Sequence, residues 1–125
     1  IAKTTQPFKI TLETLGVFPD YQAARIIWIG TAQAPCGLKQ LVEQLNKRLL
    51  ALNLPPEQRA FQAHITLGRI KAPLHHSVLE KVLKSLENEV TAMNLKFDCR
   101  SIALFQSVLG SKGPTYSILK EEFFK

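Results

Sequence analysis

Alternating apolar and polar residues predict a half-buried strand near the start of the chain. In PFKITLETL, the apolar residues Phe8, Ile10 and Leu12 alternate with polar neighbours. The next apolar stretch, RIIWIG at residues 25–30, is nearly continuous and indicates an inner strand. The segment GVFPDYQAA, residues 16–24, is predicted to connect the two strands.

Two later stretches follow the 3.6-residue repeat of an amphipathic helix. The first covers residues 36–52 and is ended by NLPPE. The second follows a predicted capping box, in which Ser77 precedes Glu80 by three residues. The apolar stripe of the first helix is Leu38, Leu41, Val42, Leu45, Leu49 and Leu52. The stripe of the second is Leu79, Val82, Leu83, Leu86 and Val90.

The remaining segments predict further strands. FQAHITLGRIK lies between the helices, and LKFDCRSIALFQSVL reads as one long or two short strands. GSKGP is predicted to be a turn and TYSILKEEF the closing strand. The order β-β-α-β-α-β-β predicts an α+β fold, in which two amphipathic helices pack on one face of a mostly antiparallel sheet.

Length and charge narrow the class of protein. The 125 residues suit a single domain, residues 1–125, and no interior linker divides them. The net charge of +6 favours a polyanionic partner. Because the basic residues are scattered, any basic surface must be assembled by folding. Trp28, inside an apolar run, is predicted to lie in the core.

Cysteine and histidine spacing predicts neither a metal nor a cofactor. Cys36 and Cys99 lack zinc-type spacing and are interpreted as reduced thiols of a cytoplasmic protein. His75 and His76 have no third ligand at a familiar spacing, so we expect exposed or helix-entry histidines. No apolar stretch approaches the roughly 20 residues of a membrane helix.

The predicted strand between the helices carries unusual chemistry. His64 and Thr66 are two residues apart and should project from the same face. An imidazole transfers protons near neutral pH, and a hydroxyl donates to phosphate oxygens. Arg69 has the wrong parity in a regular strand, but a bulge at Gly68 would turn it toward that face. The three side chains would then converge on one anion without a metal.

A plainer interpretation of the same residues stays open from spacing alone. His64 and Thr66 alternate with Ala63, Ile65 and Leu67, as on the solvent face of an ordinary sheet. A three-residue signature needs structural context before it indicates a site.

Several segments together resemble one family. HITLGR is similar to the second H-x-T-x-x-R signature of the two-histidine phosphoesterases, in the branch of 2'-5' RNA ligases and RNA 2',3'-cyclic phosphodiesterases. PFKITLETLGVFPDYQAARIIWIG resembles the family's strand, G-x-F-P turn and strand, and IALFQSVLGSKGPTYSIL resembles its C-terminal strands. Ala63 stands where proline is common. The resemblance spans essentially the whole chain.

This resemblance implies a two-lobed fold in which each lobe supplies one H-x-T motif to a cleft. His64 would be one of two acid–base residues, Thr66 a phosphate donor and Arg69 a phosphate clamp. The implied reaction opens an RNA 2',3'-cyclic phosphate to a 2'-phosphomonoester, and its reverse with a 5'-hydroxyl strand is 2'-5' ligation. The implied partner is therefore RNA with 2',3'-cyclic phosphate or 5'-hydroxyl ends.

The sequence departs from the family pattern in holding one H-x-T. At residues 9–11, KIT has lysine in place of histidine, so the first motif is expected before Ile1 and the chain is interpreted as the C-terminal two thirds of a member. Displacement at phosphorus needs an acid and a base on opposite sides. The missing H-x-T segment would come from the same or another chain. The alternative is a catalytically silent domain that binds RNA or phosphate.

Three further residues are candidate RNA contacts. Tyr116 matches a family tyrosine and would stack on a base, while Lys112 in GSKGPTY would help to bind RNA. Phe61 is either a cleft aromatic or a core residue, and the core is favoured. For Tyr116, a plain position on a sheet face is the alternative.

Overall fold

The computed structural model describes residues 1–72 and 74–125. Within these ranges, two helices and seven strands follow a short 3-10 helix at Ala2–Thr4. The strands are β1 Phe8–Leu12, β2 Thr14–Phe18, β3 Ile26–Gly30, β4 His64–Arg69, β5 Leu95–Cys99, β6 Ser101–Gly110 and β7 Gly113–Phe123. The helices are α1 Cys36–Ala51 and α2 His76–Ala92. The predicted α+β class with two helices and antiparallel sheets is confirmed.

The strands form three small sheets. β1 pairs with β5, β3 lies between β2 and β4 and pairs with both, and β6 pairs with β7. The β2–β3, β3–β4 and β6–β7 pairs are antiparallel. No helix in the described part of the chain is long and apolar enough to cross a membrane.

The first predicted strand is divided into two, and this changes the predicted element order. β1 ends at Leu12, and β2 includes residues 16–18, which the sequence assigned to a connection. The cause is a change of pairing partner, because β1 pairs with β5 and β2 pairs with β3. At the change, the Glu13 amide donates to the Gly30 carbonyl at 2.9 Å. The stretch from Leu95 to Gly110 is likewise two strands, since β5 and β6 have different partners.

The helices confirm the periodic pattern but not the predicted capping box. α1 begins at Cys36 and ends one residue before the predicted end. α2 begins at His76, with His75 as its N-cap, so Ser77 lies inside the first turn. The Ser77 hydroxyl lies 2.8 Å from His75 Nδ1 and does not cap the helix backbone. Both histidines are exposed at the helix entry, as predicted.

Contacts divide the chain into two compact units. The first unit comprises Ile1–Phe8, Cys36–Pro56 and Asp98–Lys125. It contains α1 and the β6–β7 hairpin. The second comprises Lys9–Pro35 and Glu57–Phe97, and it contains the β2–β3–β4 sheet and α2.

The second unit has a packed core on one side of its sheet. α2 packs against β2. The buried apolar side chains of β2, β3 and α2 include Leu15, Val17, Ile29, Leu79 and Leu83. Because residues alternate between faces along a strand, Leu15, Val17 and Ile29 share one face and leave the other free for different chemistry.

Trp28 lies on that other face and accounts for the glycine at position 16. Trp28 is buried, with 9% of its surface exposed, which confirms the predicted core position. Its partner in the ladder is Gly16, and a Cβ on Gly16 would overlap the indole ring. The indole therefore occupies the space that any larger residue at position 16 would need.

The first unit closes with a tight hairpin. Gly110 pairs with Gly113 across a turn of Ser111 and Lys112, which confirms the predicted turn. Gly113 has a φ of 117°, a conformation that favours glycine. The far end is anchored by stacking of Phe8 and Phe124, whose ring centroids lie 5.8 Å apart, and by the Lys125 amide, which donates to the Thr5 carbonyl at 3.0 Å.

Candidate active site

The site is built on β4, whose pairing with β3 contains an irregularity. His64 pairs with Gly30, and Thr66 pairs with Trp28. The register then shifts, so that Gly68 faces Ile27 and Leu67 is the extra residue of a β-bulge. The irregularity that the sequence predicted around Gly68 is therefore present.

The bulge places three polar side chains opposite one face of β3. His64, Thr66 and Arg69 pair with Gly30, Trp28 and Ile26 in that order. These β3 residues are two apart and share a face, so their β4 partners share it as well. Without the extra residue, Arg69 would lie on the opposite face. The structure thus brings together the three residues that carry the predicted chemistry.

His64 is exposed but its ring is held from two sides. The Phe18 ring meets the imidazole edge-on, with centroids 4.8 Å apart and an interplanar angle of 84°. The Trp28 centroid lies 6.1 Å away. On its other side, His64 Nδ1 lies 2.7 Å from the Gln62 carbonyl oxygen. The imidazole is therefore not sealed among aliphatic groups.

The contact with Gln62 determines which nitrogen of the imidazole carries the proton in its neutral form. A carbonyl oxygen only accepts hydrogen bonds, so Nδ1 must be the donor. In the neutral ring, Nε2 then holds the free lone pair, which is the atom able to accept or deliver a proton.

Thr66 and Arg69 are both exposed on this face. Among residues 1–72 and 74–125, the ion pairs involve other side chains, and Arg69 takes part in none of them. A guanidinium that is not neutralised by a carboxylate can hold a phosphate with two parallel hydrogen bonds. A neighbouring hydroxyl can add a third donor.

The three candidate RNA contacts are exposed, and none of them lies on β4. Phe61 lies in the irregular segment before β4 and is 51% exposed, so the favoured core position is wrong. Residues 55–63 form neither helix nor strand, so no periodic pattern directs Phe61 toward a core. Tyr116, 64% exposed on β7, and Lys112 in the hairpin turn belong to the other unit.

Two residues of the site were missed from sequence. The sequence pattern assigned Phe18 to a connection. Gln62, a neutral residue two positions before the histidine, matched no pattern that indicates a site. The only signal for Phe18 was its place near an apolar run. Nothing local marks Gln62, since its side-chain partner, Thr31, is 31 residues away.

Metal-ligating side chains do not form a cluster in the part of the chain that the structure covers. Among residues 1–72 and 74–125, no group of three or more histidine, cysteine, aspartate and glutamate side chains could hold a metal ion.

The fold and this face define a class of protein, the α+β phosphoesterases with an H-x-T-x-x-R segment on a sheet. The family described as LigT like phosphoesterase matches residues 29–116, which include all of β4. The chain belongs to this family.

Individual relatives agree with that assignment. The chain is 32% identical over 115 residues to a protein of Aeropyrum pernix named RNA 2',3'-cyclic phosphodiesterase, covering 91% of this chain and 63% of the relative. It is 35% identical over 127 residues to the Aquifex aeolicus protein of that name, covering 99% and 64%. The chain shares its fold with E. coli LigT complexed with 3'-AMP, with a TM-score of 0.71 at 22% identity. This match covers 99% of this chain and 62% of LigT. The chain thus spans somewhat less than two thirds of these proteins.

Proposed function

We propose that this chain carries half of the active site of an RNA end-processing phosphodiesterase, which opens a 2',3'-cyclic phosphate to a 2'-phosphomonoester. The observation that carries the proposal is the bulge in β4, since it puts His64, Thr66 and Arg69 on one face. The names of the two relatives above support the substrate class. The nucleotide bound to E. coli LigT is consistent with it.

In this reaction, a water oxygen attacks phosphorus and the bond from phosphorus to O3' breaks. The water loses a proton, and O3' gains one, so the products are a 2'-phosphomonoester and a 3'-hydroxyl. Nε2 of His64 performs one of these two proton transfers. A 5'-hydroxyl in place of water would instead join two strands through a 2'-5' linkage.

Thr66 and Arg69 hold the phosphate during the displacement. The five-coordinate phosphorus carries more negative charge on its oxygens than the substrate does, so a guanidinium and a hydroxyl stabilise it preferentially. A cofactor has no part in this scheme. Tyr116, Lys112 and Phe61 remain candidate contacts for the RNA beyond the phosphate.

The second proton transfer needs a group on the opposite side of phosphorus. The chain contains one H-x-T, so a segment outside these 125 residues, in the same or another chain, would supply the first H-x-T. On this proposal, residues 1–125 are the C-terminal two thirds of a two-lobed enzyme. The free thiols of Cys36 and Cys99 support a cytoplasmic location.

The test measures hydrolysis of an oligonucleotide 2',3'-cyclic phosphate in the presence of EDTA. The chain is assayed alone and after fusion, before Ile1, to the part of the Aquifex aeolicus relative that it does not match. The fusion should hydrolyse the substrate, and His64→Ala should lower kcat/KM by about 10²–10⁴-fold because proton transfer is lost. His76→Ala is the matched control, since His76 is exposed and lies outside β4.

A second candidate is an RNA-binding domain without turnover, which the single H-x-T and the net charge of +6 favour. It predicts salt-sensitive RNA binding that survives His64→Ala, with no hydrolysis by the fusion. That pair of results would reject the enzymatic proposal.

A further inference from the structure

Gln62 connects the site to a distant part of the same unit. Its side-chain Nε2 donates to the Thr31 carbonyl at 3.2 Å and to the Ala63 carbonyl at 3.3 Å. The Thr31 amide donates to the Ala63 carbonyl at 3.4 Å. Residue 62 is therefore tied, through its own amide group, to the chain just beyond the end of β3.

The backbone of Gln62 needs such an anchor because it lies outside the sheet. Residues 55–63 form neither helix nor strand, and β4 begins only at His64. The backbone bond from Thr31 holds the Ala63 carbonyl, and the Gln62 carbonyl lies one residue before it. Yet this carbonyl is the group that accepts the hydrogen bond from His64 Nδ1 at 2.7 Å.

We propose that Gln62 is a positioning residue, whose side-chain amide holds the backbone carbonyl that keeps His64 in its Nδ1–H tautomer. Phe18 limits the tilt of the same ring through the edge-on contact at 4.8 Å. Together the two contacts leave Nε2 as the free nitrogen. This inference rests on the proposed function, because it gives His64 the orientation that proton transfer requires.

For holding the backbone carbonyl, the hydrogen-bond donors of the side chain at position 62 should matter more than the size of that side chain. A carboxylate of nearly the same shape has no donor and would be repelled by the carbonyl oxygens of Thr31 and Ala63. A lysine at this position keeps donors able to reach the same oxygens. Gln62→Glu should therefore release the backbone carbonyl of residue 62, and Gln62→Lys should keep it in place.

The test uses the 125-residue chain with ¹⁵N-labelled histidine, and NMR reads the tautomer ratio of His64 at about pH 8, where an ordinary imidazole is neutral. The wild type should be mainly the Nδ1–H form. Gln62→Glu should shift the ratio roughly three- to tenfold toward Nε2–H, since one hydrogen bond is lost. Gln62→Lys should resemble the wild type. The control Gln22→Glu makes the same charge change at an exposed residue of the same unit and should change nothing.

The outcome separates positioning from a purely structural role. A structural role would lower the melting temperature of Gln62→Glu and leave the tautomer ratio of the folded variant unchanged, which would overturn the proposal. If Gln62→Glu does not fold, Gln62→Ala must shift the ratio and Gln62→Lys must not. Equal ratios in those two variants would also overturn it.

Kinetics of the fused enzyme test the consequence separately. Gln62→Glu should lower kcat about tenfold and change KM less than about twofold, because Thr66 and Arg69 still hold the phosphate. A fusion without any hydrolysis would reject the proposed function, while the NMR result would still decide the role of Gln62 in orienting His64.

Discussion

The β2–β3–β4 sheet and the β6–β7 hairpin are both rich in apolar residues but have different surroundings. In the sheet, β2 and β3 bury one face, with Leu15 only 7% exposed, and the other face carries the candidate site. In the hairpin, large apolar side chains remain exposed along both strands, and Leu109 reaches 84%. The apolar pattern alone therefore did not determine burial.

The difference gives the candidate site on the three-stranded sheet a firmer support than the hairpin has. A side chain is held in one orientation when packing supports the strand beneath it, and β2 has α2 packed against it. A two-stranded hairpin has little cover and gains most of its order from its ladder and its anchored ends. The exposed apolar residues of β6 and β7 are typical of a surface that contacts something else.

The largest expected effect distinguishes the two regions by activity. In the fused enzyme, Arg69→Ala should lower kcat/KM by about 10²–10³-fold, because the charge on the transition state loses its main donor. Lys112→Ala in the hairpin turn should cost less than about tenfold and make hydrolysis less dependent on salt. Steady-state kinetics at two salt concentrations measure both. Equal losses for the two variants would mean that the hairpin belongs to the catalytic site.

Stability should differ as sharply between two leucines of similar strand pattern. Leu15→Ala should lower the free energy of unfolding by about 2–5 kcal/mol, since it opens a cavity beneath the sheet. Leu109→Ala should change it by less than about 0.5 kcal/mol, since that side chain is already exposed. Urea unfolding followed by circular dichroism measures both. A large cost for Leu109→Ala would show that the hairpin is covered in solution.

The smallest expected effect concerns the two tyrosines at alkaline pH. Partial burial, followed by the nearby carboxylates of Glu80 and Glu87, raises the pKa of Tyr21 above its ordinary value. The unfolded chain thus loses this proton first, at about pH 10, so the contribution of Tyr21 to stability is present below that pH and declines as the pH rises through the folded-state pKa. Tyr21→Phe should make the loss of stability above pH 10 slightly less steep.

Thermal melts between about pH 9 and pH 11 measure this slope. Tyr116→Phe on the exposed hairpin is the control, since it removes the same hydroxyl from a residue outside the surroundings of Tyr21. If both variants have the same slope as the wild type, the surroundings of Tyr21 do not oppose its ionisation.

Much of the site could be predicted from sequence because its spacing is local. His64 and Thr66 are two residues apart, so strand geometry puts them on one face. Gly68 marked the place of the bulge. The support for His64 could not be predicted in this way. Phe18 and Gln62 reach the imidazole through the pairing of β2, β3 and β4, which joins residues far apart in the chain.

The sequence by itself determined the two helices, the hairpin turn and the α+β class, because side-chain periodicity and turn residues act within a few positions. Only the tertiary structure decided that the strand partner changes at Glu13, that β4 bulges so that Arg69 joins His64, and that the Gln62 amide binds a carbonyl beyond β3. Each of these depends on which distant backbone groups satisfy one another's hydrogen bonds, and local patterns do not specify that choice.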